Sequence, residues 1–450
     1  MSYLPAAPAP PTRRALLRGA LGLGAAAALS ACGGGSTTPR TSGDVTLGLW
    51  THDPGYETFF EKGIPDADRT GDFRYHLKVT RAGAPDIVTK LLAQAVAGRG
   101  TPDLVGFEIG SFPRMLRGDI AERLLHDFTP DIEAVPGLKE DLLPARTAPF
   151  SRDGRVYAFD SDTPMVVYFH RRDLFEKYGL PESMATWEEF AEAGARVHRD
   201  HGASMCVVST VGSDPGQVVQ SFQMLLYQRG GAFFDADGTL VLDSPEAEEV
   251  LRFLCEGLRS GFVVEVSDYY GAGMQTALKA GRVIGLPMAI WYKNYGLVTN
   301  VPEQKGRWRV RALPRFAGGG GVTAALGGTG FGVVEDKANT RAATEFLFRT
   351  WLTHEGQVRR FTETGYLPTR RSVYGDARLG AYEDDFCGGQ RLFGLYRSLL
   401  PDVPPFHQSP DQSILYDVLG GNLLRAYHGD LSPRQALKQT AADFHDQAGR

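Results

Sequence analysis

Cysteine is scarce, with four in 450 residues, and Cys206, Cys255 and Cys387 show no metal-like spacing. Such usage excludes a disulfide framework and a zinc cluster. Buried thiols are the default expectation, with a single Cys206–Cys255 bridge as the alternative. Runs of Lys or Arg are also missing, and the formal net charge is −5. Nucleic acid is therefore not an expected partner. No Gly-x-Ser-x-Gly, His-Glu-x-x-His, Walker or Cys-x-x-Cys pattern occurs to support hydrolase, nucleotide or redox chemistry. Beyond the first 32 residues no apolar stretch approaches the roughly 20 residues of a membrane-spanning helix. What remains is ordinary for a globular chain: 42% hydrophobic and 22% charged residues.

The N-terminus reads as a leader. Thr12-Arg13-Arg14 forms a twin-arginine region, and a Gly/Ala/Leu run follows to Leu29. Leu29-Ser30-Ala31-Cys32 resembles the lipobox of bacterial lipoproteins, which implies lipidation of Cys32; an ordinary export signal is the alternative. Residues 33–43, rich in Gly, Ser and Thr, fit a flexible tether. The remaining body, about 420 residues, is long enough for two domains.

Along the body, strand and helix patterns alternate. Val45–Trp50 and Tyr75–Thr80 read as strands, Asp86–Ala97 as a helix stopped by Gly98, and Thr101–Glu108 as a third strand. A β-α-β order implies a mainly parallel sheet with helices on its faces. Ligands of such sheets lie beyond the C-terminal strand ends. A strand-like run to Phe159 breaks at Asp160-Ser161-Asp162-Thr163-Pro164 and resumes at Met165–Phe169, as a chain does when it crosses between lobes. Further crossings are expected at 313–316, by Pro314 and its glycines, and at 364–367.

Later segments repeat the alternation. Thr186-Trp187-Glu188-Glu189 is a capping box, and Ser244-Pro245 an N-cap pair for a helix ended by Gly261. Gly285–Ile290 is a short apolar strand delivering Trp291 and Tyr292 to its end. Asp235-Ala236-Asp237-Gly238 reads as a turn, because it lacks the remaining ligands of a calcium loop.

Several blocks together resemble the family 1 extracellular solute-binding proteins, the maltose-binding-protein-like receptors of bacterial ABC importers. They are Gly100–Val105, Val166–Pro181 with Thr186–Phe190, Gly230–Gly238, Ala277–Met288, and Glu345–Leu347 with Gly365–Thr369. The resemblance implies an α/β fold of two lobes, each a mostly parallel sheet flanked by helices, joined by a multi-crossing hinge and closing on a sugar. The expected N-terminal lobe is 44–162 plus 315–364, and the C-terminal lobe 163–314 plus 365–450. It implies a monomer that docks on permease subunits, touches the membrane through a lipid anchor alone, and needs no cofactor or metal.

A sugar cleft needs aromatic faces for pyranose rings and planar polar groups for hydroxyl pairs. Trp291 and Tyr292 are the candidate stacking pair, with interior packing as the alternative. Trp50, at the end of the first strand, and Tyr168, beside the hinge, divide between cleft and core. His52, Asp53, Glu108, Asp160 and Asp162 are the candidate hydrogen-bonding groups, each otherwise a cap or solvated loop residue. Gly328 and Thr329, after Gly327, either bring backbone N–H groups to the ligand or make a tight strand crossing. Gln217, Phe406 and His407 lie in loops that the resemblance turns toward the cleft. Trp187, Trp308 and Trp351 read as core. The competing readings are a glycoside-acting enzyme using two of Glu108, Asp160 and Asp162, and the same fold carrying a polyol phosphate, peptide or metal.

Overall fold

The computed structural model describes residues 38–335 and 337–449. The leader, Cys32 and residues 33–37 of the tether lie outside them. The N-terminal lobe starts with β1 (Gly43–Thr51), α1 (Pro54–Thr70), β2 (Phe73–Arg81), α2 (Ala84–Val96) and β3 (Leu104–Glu108). β1 turns Val45, Leu47 and Leu49 into the core by strict alternation. α1 has no counterpart in the sequence reading, because Gly63 and Pro65 interrupt it. It holds because Asp53 caps it, accepting from the Gly55 N–H at 2.7 Å, and Pro54 starts it. Tyr56, Phe59, Phe60 and Ala67 then bury one face, which offsets the helix-breaking cost of an internal proline.

A small hairpin, β4 (Ser151–Arg152) and β5 (Arg155–Val156), leads to β6 (Phe159–Asp160). The C-terminal lobe is then built from β7 (Val166–Arg171), β8 (Cys206–Ser209), β9 (Val263–Val266), β10 (Gly285–Ala289) and β11 (Trp308–Arg311). β12 (Thr329–Val333) returns to the first lobe, whose sheet has the order β2-β1-β3-β12-β6.

One strand in each lobe is reversed. β12 runs antiparallel to β3 and β6, and β7 runs antiparallel to β10 and β11. Both are strands that enter a lobe from the hinge. Strands of the sheets otherwise end at the cleft, so a strand that begins there must run against them. Trp187, Trp308 and Trp351 are core, and all three described cysteines are free and buried.

The first crossing runs through Ser161–Met165, between β6 and β7. The segment 313–316, expected as the second, does not cross. Phe316 packs on Trp187 and Phe253, and Trp187 N–H donates to the Arg315 carbonyl at 2.9 Å, so 313–316 belongs to the C-terminal lobe. Pro314 and the following glycines make a loop, not a crossing. The chain crosses at 325–328, paired with the first crossing through Leu326 N–H to Pro164 O (3.0 Å) and Ser161 N–H to Thr329 O (2.7 Å). The third crossing is drawn out. Phe361 packs on Phe393, Tyr366 packs on Tyr56, and Leu143 N–H still reaches Thr369 O at 3.0 Å.

The Thr186 capping box forms with both of its bonds. Thr186→Ala is expected to cost about 1 kcal/mol in urea unfolding, with Thr186→Ser close to wild type. In the turn at Gly238, Asp235 Oδ1 accepts from the N–H groups of Asp237 and Thr239, which is turn chemistry.

A pH effect arises at His126. Its ring lies between Asp131 (2.7 Å) and Glu335 (2.5 Å). Burial works against its charge, but bonds to the two carboxylates outweigh that and raise its pKa. The stabilisation is therefore complete below the unfolded value of about 6.5 and lost as pH rises through the folded value. Wild type is expected to lose more stability than His126→Gln between about pH 6 and pH 8 in denaturant titrations.

Candidate ligand cleft between the lobes

The strand ends of both sheets face each other across the hinge. From the N-terminal lobe, β1 delivers His52 and Asp53, and β3 delivers Glu108. From the C-terminal lobe, β10 delivers Trp291, and the loops after β8 and β9 deliver Asp214 and Tyr270.

Trp291 is half-buried between the two hydrophobic cores and touches both. Its Nε1–H donates to the Leu326 carbonyl at 2.9 Å. A Cβ on Gly327 would stand 3.2 Å from that nitrogen, so the glycine lets the indole lie against the crossing strand. Tyr270 and Tyr295 flank it, with ring centroids 6.2 and 6.1 Å away. The three rings form one aromatic surface at the floor of the cleft.

Glu108, half-buried at the end of β3, is the main polar group on the side of the N-terminal lobe. Burial raises its carboxyl to about 7; the N–H groups of Gly110 and Ser111 oppose the rise and the nearby Asp214 charge adds to it. Its Oε2 accepts from Gly110 N–H at 2.8 Å. A carboxyl raised in this way can hold a proton to donate as well as accept, which suits a hydroxylated ligand. His52 is half-buried, with its Nδ1 unpartnered, and burial lowers its pKa against the pull of Asp53. Asp53 spends one oxygen on the α1 cap and accepts from the Tyr366 hydroxyl at 2.5 Å with the other.

Several sequence candidates have other employment. Asp160 is buried under the floor and paired with Arg146 at 2.5 Å. Asp162, also buried, accepts from the Ser161 hydroxyl at 2.9 Å. Burial and the neighbouring Asp160 push Asp162 up to about 7, against Arg146 and Arg360. Arg360 donates to the carbonyls of Asp160 and Ser161 and stacks on Trp351. These four charges tie the hinge rather than line the cleft.

Tyr168 and Tyr292 are fully buried, their hydroxyls on the carbonyls of Met205 (2.9 Å) and Tyr269 (2.6 Å). Phe190 stands edge-on to the Tyr168 ring at 5.1 Å and the Arg311 guanidinium lies over it at 4.8 Å, which leaves it no open face. Trp50 is core, with Lys90 over its ring. Gly328 has φ +120°, and a Cβ there would stand 2.9 Å from the Arg146 guanidinium, so the tight crossing is its reason. Thr329 is buried in β12.

Gln217 is spent on Asp214 (2.9 Å) and the Tyr269 N–H (2.8 Å), which positions Asp214. Phe406 wedges between the cores of the two lobes, edge-on to Tyr227 at 5.7 Å, with His407 half-exposed beside it. Next to them Gln408 donates to the Ile109 carbonyl at 2.6 Å, a direct bond between lobes. Asp214, Tyr270 and Tyr295 escaped the sequence reading. The strand-end rule that found Glu108 would have reached the first two.

A family model described as bacterial extracellular solute-binding protein matches residues 65–385. The chain belongs to the bacterial extracellular solute-binding proteins. Two curated members match most of its length. The arabinooligosaccharide-binding protein of Bacillus subtilis (strain 168) is 25% identical over 424 residues, covering 90% of this chain and 92% of its own. The lactose-binding protein of Rhizobium radiobacter is 25% identical over 398 residues, covering 84% and 87%. Among solved solute-binding proteins, the galacto-N-biose-/lacto-N-biose I-binding protein of Bifidobacterium longum superimposes with a TM-score of 0.73 at 20% identity, covering 91% of this chain and 99% of its own. That likeness bears out the two-lobe fold.

Proposed function

We propose that this solute-binding protein captures a neutral carbohydrate, an oligosaccharide, between its lobes and hands it to the permease of an ABC importer. The observation that carries the reading is the Trp291–Tyr270–Tyr295 surface at the cleft floor, set against the carboxyls of Glu108 and Asp53. Aromatic faces take the apolar side of sugar rings, while carboxyls take their hydroxyls. The names of the curated relatives, which bind arabino-oligosaccharides and lactose, support the same cargo class.

Sugar touching both walls favours the closed state, because that state alone makes both sets of contacts. Capture without cleavage is favoured because Asp160 and Asp162 are held under the floor by Arg146 and Arg360. A lipid on Cys32 would keep the monomeric receptor at the membrane, close to its permease. Cys32→Ser is expected to release the exported protein into the soluble fraction.

A thermal-shift panel tests the cargo. Arabino-, galacto- and malto-oligosaccharides are compared with phosphosugars and peptides. Ligand at about 100 times its Kd adds roughly 2.7 kcal/mol to the folded state, enough for a shift of a few degrees. A shift with one sugar series is expected; a shift with peptides alone would move the cargo outside carbohydrates.

A further inference from the structure

Tyr295, next to Trp291, lines a compartment of about 220 Å³ between the start of α1 and a π-helix, Lys293–Val298. A whole small-molecule site usually takes about 300–1,000 Å³, so this space suits one ring rather than a complete ligand. Its walls come from both lobes: Asp53 and Thr58 on one side, Asn294 and Tyr295 on the other.

The π-helix is a rare element, found most often at functional sites. Four anchors hold it here. Lys293 is ion-paired with the buried Asp384. The Tyr292 hydroxyl bonds the Tyr269 carbonyl at 2.6 Å. Asn300 Nδ2 donates to the carbonyls of Gly296 (2.9 Å) and Tyr270 (3.0 Å). A Cβ at Gly296 would stand 2.2 Å from the Tyr292 ring, so only glycine fits that position. The extra residue in the turn sets Asn294 and Tyr295 toward the N-terminal lobe on a rigid base.

Both exposed groups have bonding capacity left. The Tyr295 ring is half-buried beside Trp291, and its hydroxyl makes no hydrogen bond among the described residues. The Asn294 amide makes one long bond, to the Glu363 carbonyl at 3.4 Å. Lys62 and Glu363, which also line the space, neutralise each other at 3.4 Å. The compartment therefore offers a ring face, an amide and a carboxylate, with no unbalanced cation to attract an anion.

We propose that this compartment is a subsite for the terminal ring of an oligosaccharide, with Tyr295 as its platform and Asn294 as its hydroxyl partner. The proposal rests on the carbohydrate reading above. A ring seated there bridges α1 and the π-helix, so longer chains hold the lobes together more strongly than short ones.

The test is a calorimetric titration of the purified protein with ladders of two-, three- and four-ring arabino-, galacto- and malto-oligosaccharides. Wild type is expected to gain affinity with length in the ladder it binds. Tyr295→Ala and Asn294→Ala should flatten that gain, losing about tenfold more on the longest sugar than on the shortest, and Trp291→Ala should weaken all lengths together. Tyr295→Phe, which keeps the ring, should retain most of the gain and shows that packing is intact. A loss equal at all lengths, or no loss, in both Tyr295→Ala and Asn294→Ala overturns the subsite while leaving the carbohydrate reading in place. No binding of any ladder by wild type removes both.

Discussion

Trp291→Ala is expected to weaken sugar binding by more than about 1 kcal/mol, fivefold or beyond, since aromatic stacking alone is worth about that much and a central tryptophan more. The indole touches the cores of both lobes, bonds the crossing strand at Leu326, and stands at the centre of three aromatic rings. Its removal therefore takes away a ring platform and a contact made at the lobe boundary. Trp291→Phe should recover part of the affinity. Affinity measured by calorimetry, beside an unfolding curve for each variant, separates lost stacking from lost fold. An unchanged Kd in Trp291→Ala would remove this residue from the site.

The second large effect lies under the floor. Arg146 is 5% exposed and is paired with Asp160, while its Nε also donates to the Asp162 carbonyl at 2.9 Å. Arg146→Met leaves two buried carboxylates with Arg360 as the remaining cation. Breaking a buried pair from one side costs about 3–5 kcal/mol. The loss should depend on pH in a defined direction. Burial raises Asp160 and Asp162, so the folded state binds more protons than the unfolded one. Without Arg146, which holds both down, they rise further, so stability of the variant should fall more steeply than that of wild type as pH rises above the usual carboxylate range, and recover in acid. Denaturant titrations between about pH 5 and pH 8 check both statements. A loss under about 1 kcal/mol at all pH values would mean that the hinge does not depend on this ion pair.

Position relative to strand ends was the readable part of this site. Asp53 and Trp291 follow β1 and β10, and Glu108 ends β3. The rule fails where side chains meet partners remote in sequence. Asp160 and Asp162 look like cleft carboxylates on the chain, but Arg360 reaches the Asp160 carbonyl from 200 positions away. Tyr168 divides between cleft and core on the chain, and Phe190 and Arg311, remote in sequence, decide it by covering its ring. Local propensity misled in α1, where Gly63 and Pro65 hide a helix that tertiary burial sustains. Gly63 also lets the helix approach Thr350, where a Cβ would come within 2.9 Å. The π-helix was out of reach for a different reason. Its extra residue per turn leaves no periodic trace over six residues, so Tyr295 could not be assigned a face.

The central claim, capture of an intact carbohydrate between the lobes, is tested most directly by equilibrium titration followed by recovery of the ligand. Wild-type protein is titrated with the oligosaccharide series that shifts its unfolding temperature, and the bound sugar is then released by denaturation and sized by mass spectrometry. Saturable one-to-one binding with every glycosidic bond intact is the predicted result. Recovery of shortened sugar, or failure of every series to bind while a peptide or phosphosugar saturates, would contradict the account.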